Sequence, residues 1–214
     1  LDSHAKAAAA QDAGAFDDQI VPIRTTDADG NETVVSKDEG IRRGTTLEKM
    51  AQLKPAFKED GVIHAGNSSQ ISDGSAALLI MSAEKAKELG LKPIARVHTA
   101  VLAAADPVIM LTAPIPATQK ALKKSGLSLD DIGVFEVNEA FAPVPMAWLK
   151  DIGADPKKLN PNGGAIALGH PLGGSGARIM TTMLYHMRNN GIRYGLQTMC
   201  EGGGQANATI LELL

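Results

Sequence analysis

Short apolar runs alternate with amphipathic stretches from about residue 94 onward, and most of the amphipathic stretches end at glycine. Period-two and period-3.6 patterns of this kind predict strands and helices in turn, which is typical of an α/β fold. Glycine directly after a helical pattern marks its end, as at Gly126 and Gly191. The pattern predicts strands over residues 94–102 and 132–137, helices over 116–125, 143–149 and 175–189, and a terminal hairpin over 196–200 and 206–213.

The first third of the chain has a different character. Residues 1–11 are rich in alanine and resemble the later part of a helix, and the first residue is not methionine, so we expect a fragment that begins within an element. A turn-forming sequence at 27–31 separates strand-like runs at 20–24 and 32–36, which predicts a hairpin in a loop-rich appendage. A short strand is predicted over 75–81, followed by a helix over 83–89 with Ser82 as its N-cap.

Composition excludes several classes of protein. The 214 residues are 44% hydrophobic and 21% charged, which is typical of one or two globular domains. The net charge of -3, the scattered cations and the few aromatic residues argue against nucleic-acid binding. No apolar run reaches the roughly 18 residues of a membrane span, so we expect a soluble protein. Cys200 is the single cysteine, which excludes an intrachain disulfide and is compatible with our assignment to the cytoplasm.

A glycine-rich run at residues 163–178 carries one histidine, His170, and opens a helix at Ser175. Glycines allow close backbone approach, and Pro171 restricts His170 to extended conformations. The helix start favours anions or developing negative charge. The run contains neither a P-loop nor a GxGxxG pattern, so the common nucleotide motifs are excluded. Taken alone, Gly-His-Pro is also compatible with a purely structural histidine.

Two further segments contain side chains suited to proton transfer. Cys200 ends a predicted strand and precedes glycines 202–204, whose N–H groups are able to form an oxyanion-binding nest, although a lone cysteine is more often a core residue. Asn138 follows a buried strand, where its amide is placed to fix a water molecule while Glu139 orients a loop. By itself the Asn138 segment is equally a helix-cap signature.

These three segments, residues 138–142, 163–178 and 200–204, resemble in this order the three C-terminal signatures of the thiolase family. Residues 65–69 with 73–77 resemble a fourth family segment, and further similarity lies around 14–22 and 43–57. The resemblance implies the layered αβαβα thiolase fold, made of two βαβαβαββ halves. The chain would then hold part of the loop domain (1–71), the last strand and helix of the N-terminal half (72–93) and the C-terminal half (94–214).

The resemblance also implies a chemistry. Thiolases pass an acyl group through a cysteine of the N-terminal half, which this sequence does not contain, so we expect the isolated chain to be inactive. By resemblance, His170 deprotonates that cysteine, Asn138 holds a water in the oxyanion site, Cys200 is the acid/base at carbon, and the Gly202 N–H contributes to a second oxyanion site. Coenzyme A thioesters are substrates, and no bound cofactor or metal is implied. A dimer or tetramer of the intact protein is implied as well, and an isolated fragment would expose apolar surface.

The coenzyme A tail would contact Ser69 and Arg42 by the same resemblance, although Ser69 is also compatible with a turn residue and Arg42 with a solvated cation. Phe141 either lines the pocket or packs in the core. The favoured function is a degradative 3-ketoacyl-CoA thiolase of fatty acid or related β-oxidation, which Leu172 after the His-Pro pair slightly favours. Two alternatives remain: an acetoacetyl-CoA-forming acetyl-CoA acetyltransferase, and a noncatalytic subunit that binds CoA esters or serves assembly.

Overall fold

A four-stranded mixed sheet organises the second half of the chain in the computed structural model, which describes residues 1–214. None of its helices has the length and apolar character needed to cross a membrane. The helices are α1 (Asp2–Asp12), α2 (Leu47–Met50), α3 (Ala83–Glu88), α4 (Pro114–Ser125), α5 (Pro143–Ile152), α6 (Ala165–Leu168) and α7 (Ser175–Asn190). The strands are β1 (Ile23–Thr26), β2 (Glu32–Val35), β3 (Ala95–Ala104), β4 (Val134–Val137), β5 (Tyr194–Glu201) and β6 (Gln205–Leu213), and short 3-10 turns cover Ala65–Asn67, Pro156–Lys158 and Gly202–Gly204.

The sheet has the strand order β3-β6-β5-β4. β4 and β5 are parallel, whereas β5 with β6 and β6 with β3 are antiparallel. The predicted terminal hairpin is confirmed: β5 and β6 pair with Cys200 opposite Ala206 and are joined by Gly202–Gly204. Since β4 and β5 are parallel, their carboxyl ends, and the polar residues that follow them, meet at one edge of the sheet.

Helices cover both faces of the sheet. Phe135 of β4 packs against Trp148 of α5 on one face, with ring centroids 5.2 Å apart, and the Trp148 indole N–H donates to Thr118 of α4 at 2.8 Å. On the other face, Val134 packs with Met183 of α7. Alternate residues of one short strand thus enter two cores, because successive side chains of a strand point to opposite faces. Gly126, Gly153 and Gly191 adopt the left-handed conformation and end α4, α5 and α7. The ends of α4 and α7 lie within one residue of the prediction, whereas α5 runs three residues further than predicted, to Ile152.

Both outer strands are capped by side chains. Along β4, the Asn160 amide accepts from the Val137 N–H at 2.8 Å and donates to the Val137 carbonyl at 2.9 Å. Along β3, Lys120 and Lys124 of α4 donate to the carbonyl oxygens of Leu102 and Ala100. The thiolase half is expected to have five strands, but here Leu159 makes only an isolated parallel bridge to Phe135. Asn160 follows this bridge with a φ of 44°, and its side-chain amide bonds both backbone groups of Val137, where a longer strand would continue the ladder.

The strand predicted over residues 75–81 is wrong. Residues 71–82 contain no regular element, and Leu79 and Ile80 are 81% and 69% exposed. An apolar sequence forms a strand only where another strand offers a hydrogen-bonding edge, and no strand of this chain lies against it. The helix that follows is confirmed, with Ser82 accepting from the Lys85 N–H as its N-cap. The β1–β2 hairpin is also confirmed, although β1 starts three residues later than predicted, at Ile23.

Candidate active site

His170 lies between two polar side chains that come from different elements. Its Nδ1 is 2.6 Å from the hydroxyl oxygen of Ser175, the first residue of α7. Its Nε2 is 3.3 Å from the amide nitrogen of Asn138, directly after β4. The chain therefore brings together two residues that lie 32 positions apart in sequence.

The Ser175 hydroxyl determines which nitrogen of His170 carries the proton. Because Ser175 donates its only hydroxyl hydrogen to the Pro171 carbonyl at 2.8 Å, its oxygen is an acceptor toward His170. The proton of the neutral imidazole accordingly lies on Nδ1, and Nε2 is left unprotonated, with a lone pair that faces the Asn138 amide nitrogen at 3.3 Å. Burial lowers the pKa of His170, and the positive charge of Arg178 lowers it further. This arrangement favours a neutral imidazole with Nε2 ready to accept a proton.

The side-chain oxygen of Asn138 has no hydrogen-bond partner in the protein. The residue is 2% exposed, its N–H donates to the Thr198 carbonyl of β5 at 3.1 Å, and its side-chain oxygen is buried and unpaired. A buried amide oxygen normally accepts a hydrogen bond from protein or from ordered water. The Asn138 amide therefore combines a donor directed at His170 with an acceptor that is open to a small polar molecule.

Glu139 braces the glycine-rich loop that carries His170. Its carboxylate accepts from the Ile166 N–H at 3.1 Å and from the Ser3 hydroxyl at 2.6 Å, while the Gly164 N–H donates to the Ser3 oxygen at 3.0 Å. The predicted orienting role of the carboxylate agrees with these contacts. Ser3, on α1, was missed by sequence reasoning because nothing near residue 3 indicates a contact with residue 164.

Gly164 lies too close to this brace to carry a side chain. A Cβ built at Gly164 overlaps the carboxyl carbon of Glu139, whereas a Cβ at Gly173 meets nothing within 4 Å. Because Glu139 Oε2 accepts from Ser3 and Ile166 and its Oε1 accepts from Asn160 at 3.4 Å, the carboxylate has little freedom to move. We therefore expect Gly164→Ala to lower the free energy of unfolding by about 1–3 kcal/mol. Gly173→Ala is the matched control and should change it by less than about 0.5 kcal/mol. Urea unfolding of both variants in a full-length protein that carries this chain measures the difference; equal stabilities would contradict the assigned packing.

Cys200 lies at the end of β5, beside the strand end that leads into Asn138. The thiol is half-buried and makes no hydrogen bond to His170 or Asn138. Burial raises the pKa of Cys200. A hydrogen bond to the backbone opposes this effect, and the negative charge of Glu201 adds to it. At neutral pH the group is therefore mainly a thiol, the form that donates a proton.

The glycine turn after Cys200 matches the sequence expectation in shape. Gly203 and Gly204 have φ values of 76° and 79°, and a Cβ at Gly204 would lie 2.8 Å from the Ala105 carbonyl oxygen. Gly202 is exposed, a Cβ there meets nothing within 4 Å, and its N–H donates in none of the turn or loop hydrogen bonds. The turn therefore presents backbone at the same edge of the sheet as Asn138 and Cys200.

The three substrate-binding candidates lie in different surroundings. Ser69 is half-buried, its N–H donates to the Ala140 carbonyl at 3.0 Å, and its hydroxyl makes no hydrogen bond, so it lies beside the Asn138 segment. Phe141 is half-buried rather than a core residue and packs edge-on against the exposed Phe57 at 5.7 Å. Arg42 is exposed, and its backbone N–H donates to His4 at 3.1 Å, at a cavity of about 570 Å³ formed with α1.

Two buried ionisable side chains behind the loop, Arg178 and Glu136, were not anticipated. The guanidinium nitrogens of Arg178 on α7 are buried and make no hydrogen bond to protein, and Glu136 of β4 has one unpaired carboxylate oxygen. Burial raises the pKa of Glu136 to about 8 although Arg178 opposes this, and burial lowers the pKa of Arg178. The available signal was Glu136 itself, a carboxylate between two apolar residues of a strand predicted to be buried. No group of three or more His, Cys, Asp or Glu side chains has an arrangement suited to a metal ion.

Comparison with known families explains the order of these segments. Residues 91–213 match the family model "Thiolase, C-terminal domain", and residues 1–84 match "Thiolase, N-terminal domain". The chain belongs to the thiolase family. Members of this family are acyltransferases.

Individual thiolases are similar over almost the whole chain. The steroid 3-ketoacyl-CoA thiolase FadA6 of Mycobacterium tuberculosis is 56% identical over 214 residues, which are 100% of this chain and 51% of that protein. The crystal structure of the Bacillus anthracis acetyl-CoA acetyltransferase superimposes with a TM-score of 0.94 at 46% identity, covering 99% of this chain and 54% of that one. Human mitochondrial 3-ketoacyl-CoA thiolase gives 0.92 at 41% identity, with 99% and 53% coverage. The predicted thiolase fold is confirmed, and the chain spans about half the length of these relatives.

Proposed function

We propose that this chain supplies the C-terminal part of an acyl-CoA:acetyl-CoA C-acyltransferase that cleaves 3-ketoacyl-CoA in fatty acid or related β-oxidation. The observation that carries the proposal is the unprotonated Nε2 of His170, whose state is set by Ser175 and whose lone pair faces the Asn138 amide. A base of this kind needs a nucleophile within reach, and in thiolases that is a cysteine of the half that this chain does not include. The names of similar thiolases support the same reaction class.

The first step follows from the His170 geometry. Nε2 takes the proton of the nucleophilic thiol, and the thiolate attacks the 3-keto carbonyl carbon of the substrate. The imidazolium then carries a proton on both nitrogens, so Nε2–H becomes a donor to a substrate oxygen. The unpaired side-chain oxygen of Asn138 is suited to accept one hydrogen of a water molecule, and the other hydrogen of that water is then donated to the same substrate oxygen. We assign the Gly202 N–H to a second oxyanion site.

The second step requires an acid at carbon. When the bond between C2 and C3 breaks, its electron pair stays on C2 and forms the enolate of acetyl-CoA, while the acyl group remains on the nucleophilic cysteine. Cys200 donates its thiol proton to C2, for which its raised pKa provides the protonated form. Incoming coenzyme A then loses its thiol proton to the Cys200 thiolate and takes the acyl group, and the His170 imidazolium returns its proton to the departing nucleophilic thiolate. Both cysteines end as thiols, so the cycle is balanced.

Binding and assembly belong to the same proposal. Ser69, with its free hydroxyl beside the Asn138 segment, is proposed to contact the pantetheine of coenzyme A, and Phe141 to line the acyl pocket. Arg42, exposed at the α1 cavity, is proposed to meet the nucleotide end. We further propose a homo-oligomer of the intact protein. One unpaired cysteine is compatible with the cytoplasm as its location.

One other function has specific support. The similarity to the Bacillus anthracis acetyl-CoA acetyltransferase favours acetoacetyl-CoA synthesis, which is the same chemistry in the opposite direction.

The chain alone is expected to show no thiolysis of acetoacetyl-CoA, because Cys200 is unable to act as nucleophile and as acid in one cycle. Supplying the N-terminal half of a thiolase, with its cysteine, is expected to produce turnover. The measurement is loss of acetoacetyl-CoA absorbance with coenzyme A present, and the control is the same N-terminal half with its cysteine changed to alanine. Turnover by the chain alone would refute the division of roles, and a correctly folded two-half complex without turnover would favour the noncatalytic function.

A further inference from the structure

Residues 67–72, which we name the strap, lie between the Asn138 segment and the His170 loop and bond to both. On one side the Ala142 N–H donates to the Asn67 carbonyl at 2.8 Å and the Ser69 N–H to the Ala140 carbonyl at 3.0 Å. On the other side the His170 N–H donates to the Gln70 carbonyl at 2.9 Å. The strap therefore fixes the distance between the two loops that carry the site.

The side chain of Gln70 adds a second connection to the same loop. Its amide nitrogen lies 3.0 Å from the Ile166 carbonyl, 3.1 Å from the Ala167 carbonyl and 2.8 Å from the Gly40 carbonyl. One NH₂ group thus serves three acceptors that have no other donor among the side chains. The packing is tight, since a Cβ at Gly40 would lie 2.8 Å from the Ala167 oxygen.

We propose that Gln70 is a positioning residue for His170. The Gln70 side-chain amide holds the turn that precedes His170, and the Gln70 main-chain carbonyl holds the backbone N–H of His170. Ala167 and His170 are separated by only two residues, and the His170 N–H itself donates to the Gln70 carbonyl, so a displacement of Gln70 shifts both the turn and the backbone of His170. Misplacement of a catalytic base by about 1 Å lowers a rate by about a hundredfold. The role of the histidine itself rests on the proposed function, whereas the contacts of Gln70 do not.

Gln70→Glu is the sharpest test because it keeps the shape and turns the donor into a group that titrates. A protonated carboxyl still donates one hydrogen to the carbonyl cluster, but a carboxylate faces three acceptors and is repelled. The pKa of the introduced carboxyl is therefore raised, and the donor is present at low pH and lost as pH rises through that raised value. Charged and titratable groups around this position are Asp38, His4, Arg42, Lys49 and His170.

The experiment compares acyl transfer by Gln70→Glu and by the parent, a full-length protein that carries this chain, at each pH. The ratio of the two rates is expected to fall by about tenfold between about pH 6 and pH 9, while Gln70→Met gives a low ratio that does not change with pH. Gln119→Glu is the matched control, since Gln119 is exposed on α4 and its ratio should stay near one. A ratio for Gln70→Glu that is flat with pH, or near one for Gln70→Met, overturns the proposal.

A second measurement does not depend on catalysis. Hydrogen exchange of the His170 amide, followed by mass spectrometry on a peptide covering residues 168–174, is expected to be at least about tenfold faster in Gln70→Glu than in the parent at pH 9, and nearly unchanged at pH 6. An inactive parent would refute the proposed function, while this exchange difference would still support the role of Gln70. Equal exchange in both proteins at pH 9 overturns that role. If neither variant at position 70 yields folded protein, Gln70 supports the whole fold rather than the loop, and the proposal is also overturned.

Discussion

His170→Ala is expected to lower acyl transfer by several orders of magnitude in a full-length protein that carries this chain, the largest effect of any single substitution here. The change removes the base that takes the thiol proton and the donor that the resulting imidazolium presents to the substrate. Because Asn138 and the glycine turn remain, binding of the CoA ester should be affected far less than the rate. The measurement is single-turnover transfer from acetyl-CoA to the nucleophilic cysteine, followed by mass spectrometry of the acylated protein.

His98→Ala is the control for this experiment. His98 lies on β3, is half-buried, and contacts Thr99 and Tyr194 rather than any residue of the candidate site. Its replacement should leave acylation within about twofold of the parent. If His170→Ala cost less than about tenfold in a folded protein, the glycine-rich loop would be structural and the assignment of the base would be wrong.

Cys200→Ser is expected to separate two reactions that the parent performs together. Exchange of labelled coenzyme A into acetyl-CoA requires only acyl transfer through His170 and should remain partly active. Thiolysis of a 3-ketoacyl-CoA requires proton donation to carbon, for which a serine hydroxyl is a far weaker acid than a thiol, so it should fall by about a hundredfold or more. The two rates are measured on the same preparation.

The interpretation depends on the ratio of the two losses. A fall by the same factor in a folded variant would mean that Cys200 is not the dedicated acid at carbon. Met199→Leu is a suitable companion variant, because Met199 is the neighbouring half-buried residue of β5 and points toward Gly176 of α7. Its exchange and thiolysis rates should change together and by little.

Elements defined by local signals were predictable from sequence. The helices before Gly126 and Gly191, the Ser82 N-cap and the β5–β6 hairpin all depend on residues within a few positions of one another. The prediction of a strand at 75–81 was wrong because strand pairing requires two segments. An apolar pattern in residues 75–81 does not tell whether a partner strand is present. The same applies to Asn160, whose side-chain amide takes the place of a strand that the family pattern implies.

The candidate site divides in a similar way. His170, Asn138 and Cys200 were named from sequence because each lies in a segment with unusual composition. The contacts that organise them were not predicted, since Ser3 and Gln70 bond to residues 136 and 97 positions away and nothing in their local sequence indicates these contacts. The tautomer of His170 likewise required the structure, because it depends on where the Ser175 hydroxyl donates its hydrogen.

The capped strands β3 and β4 bear on how this protein behaves at high concentration. Open strand edges are the usual starting point for polymerisation, because they offer unpaired backbone groups to any extended segment that arrives. Here the Asn160 amide occupies Val137 on one outer strand, and Lys120 and Lys124 occupy the carbonyls of Leu102 and Ala100 on the other. Growth of fibrils by edge-to-edge pairing of the sheet is thereby disfavoured. The segment 71–82, with its exposed Ile71, Leu79 and Ile80, is left as the stretch from which aggregation would begin.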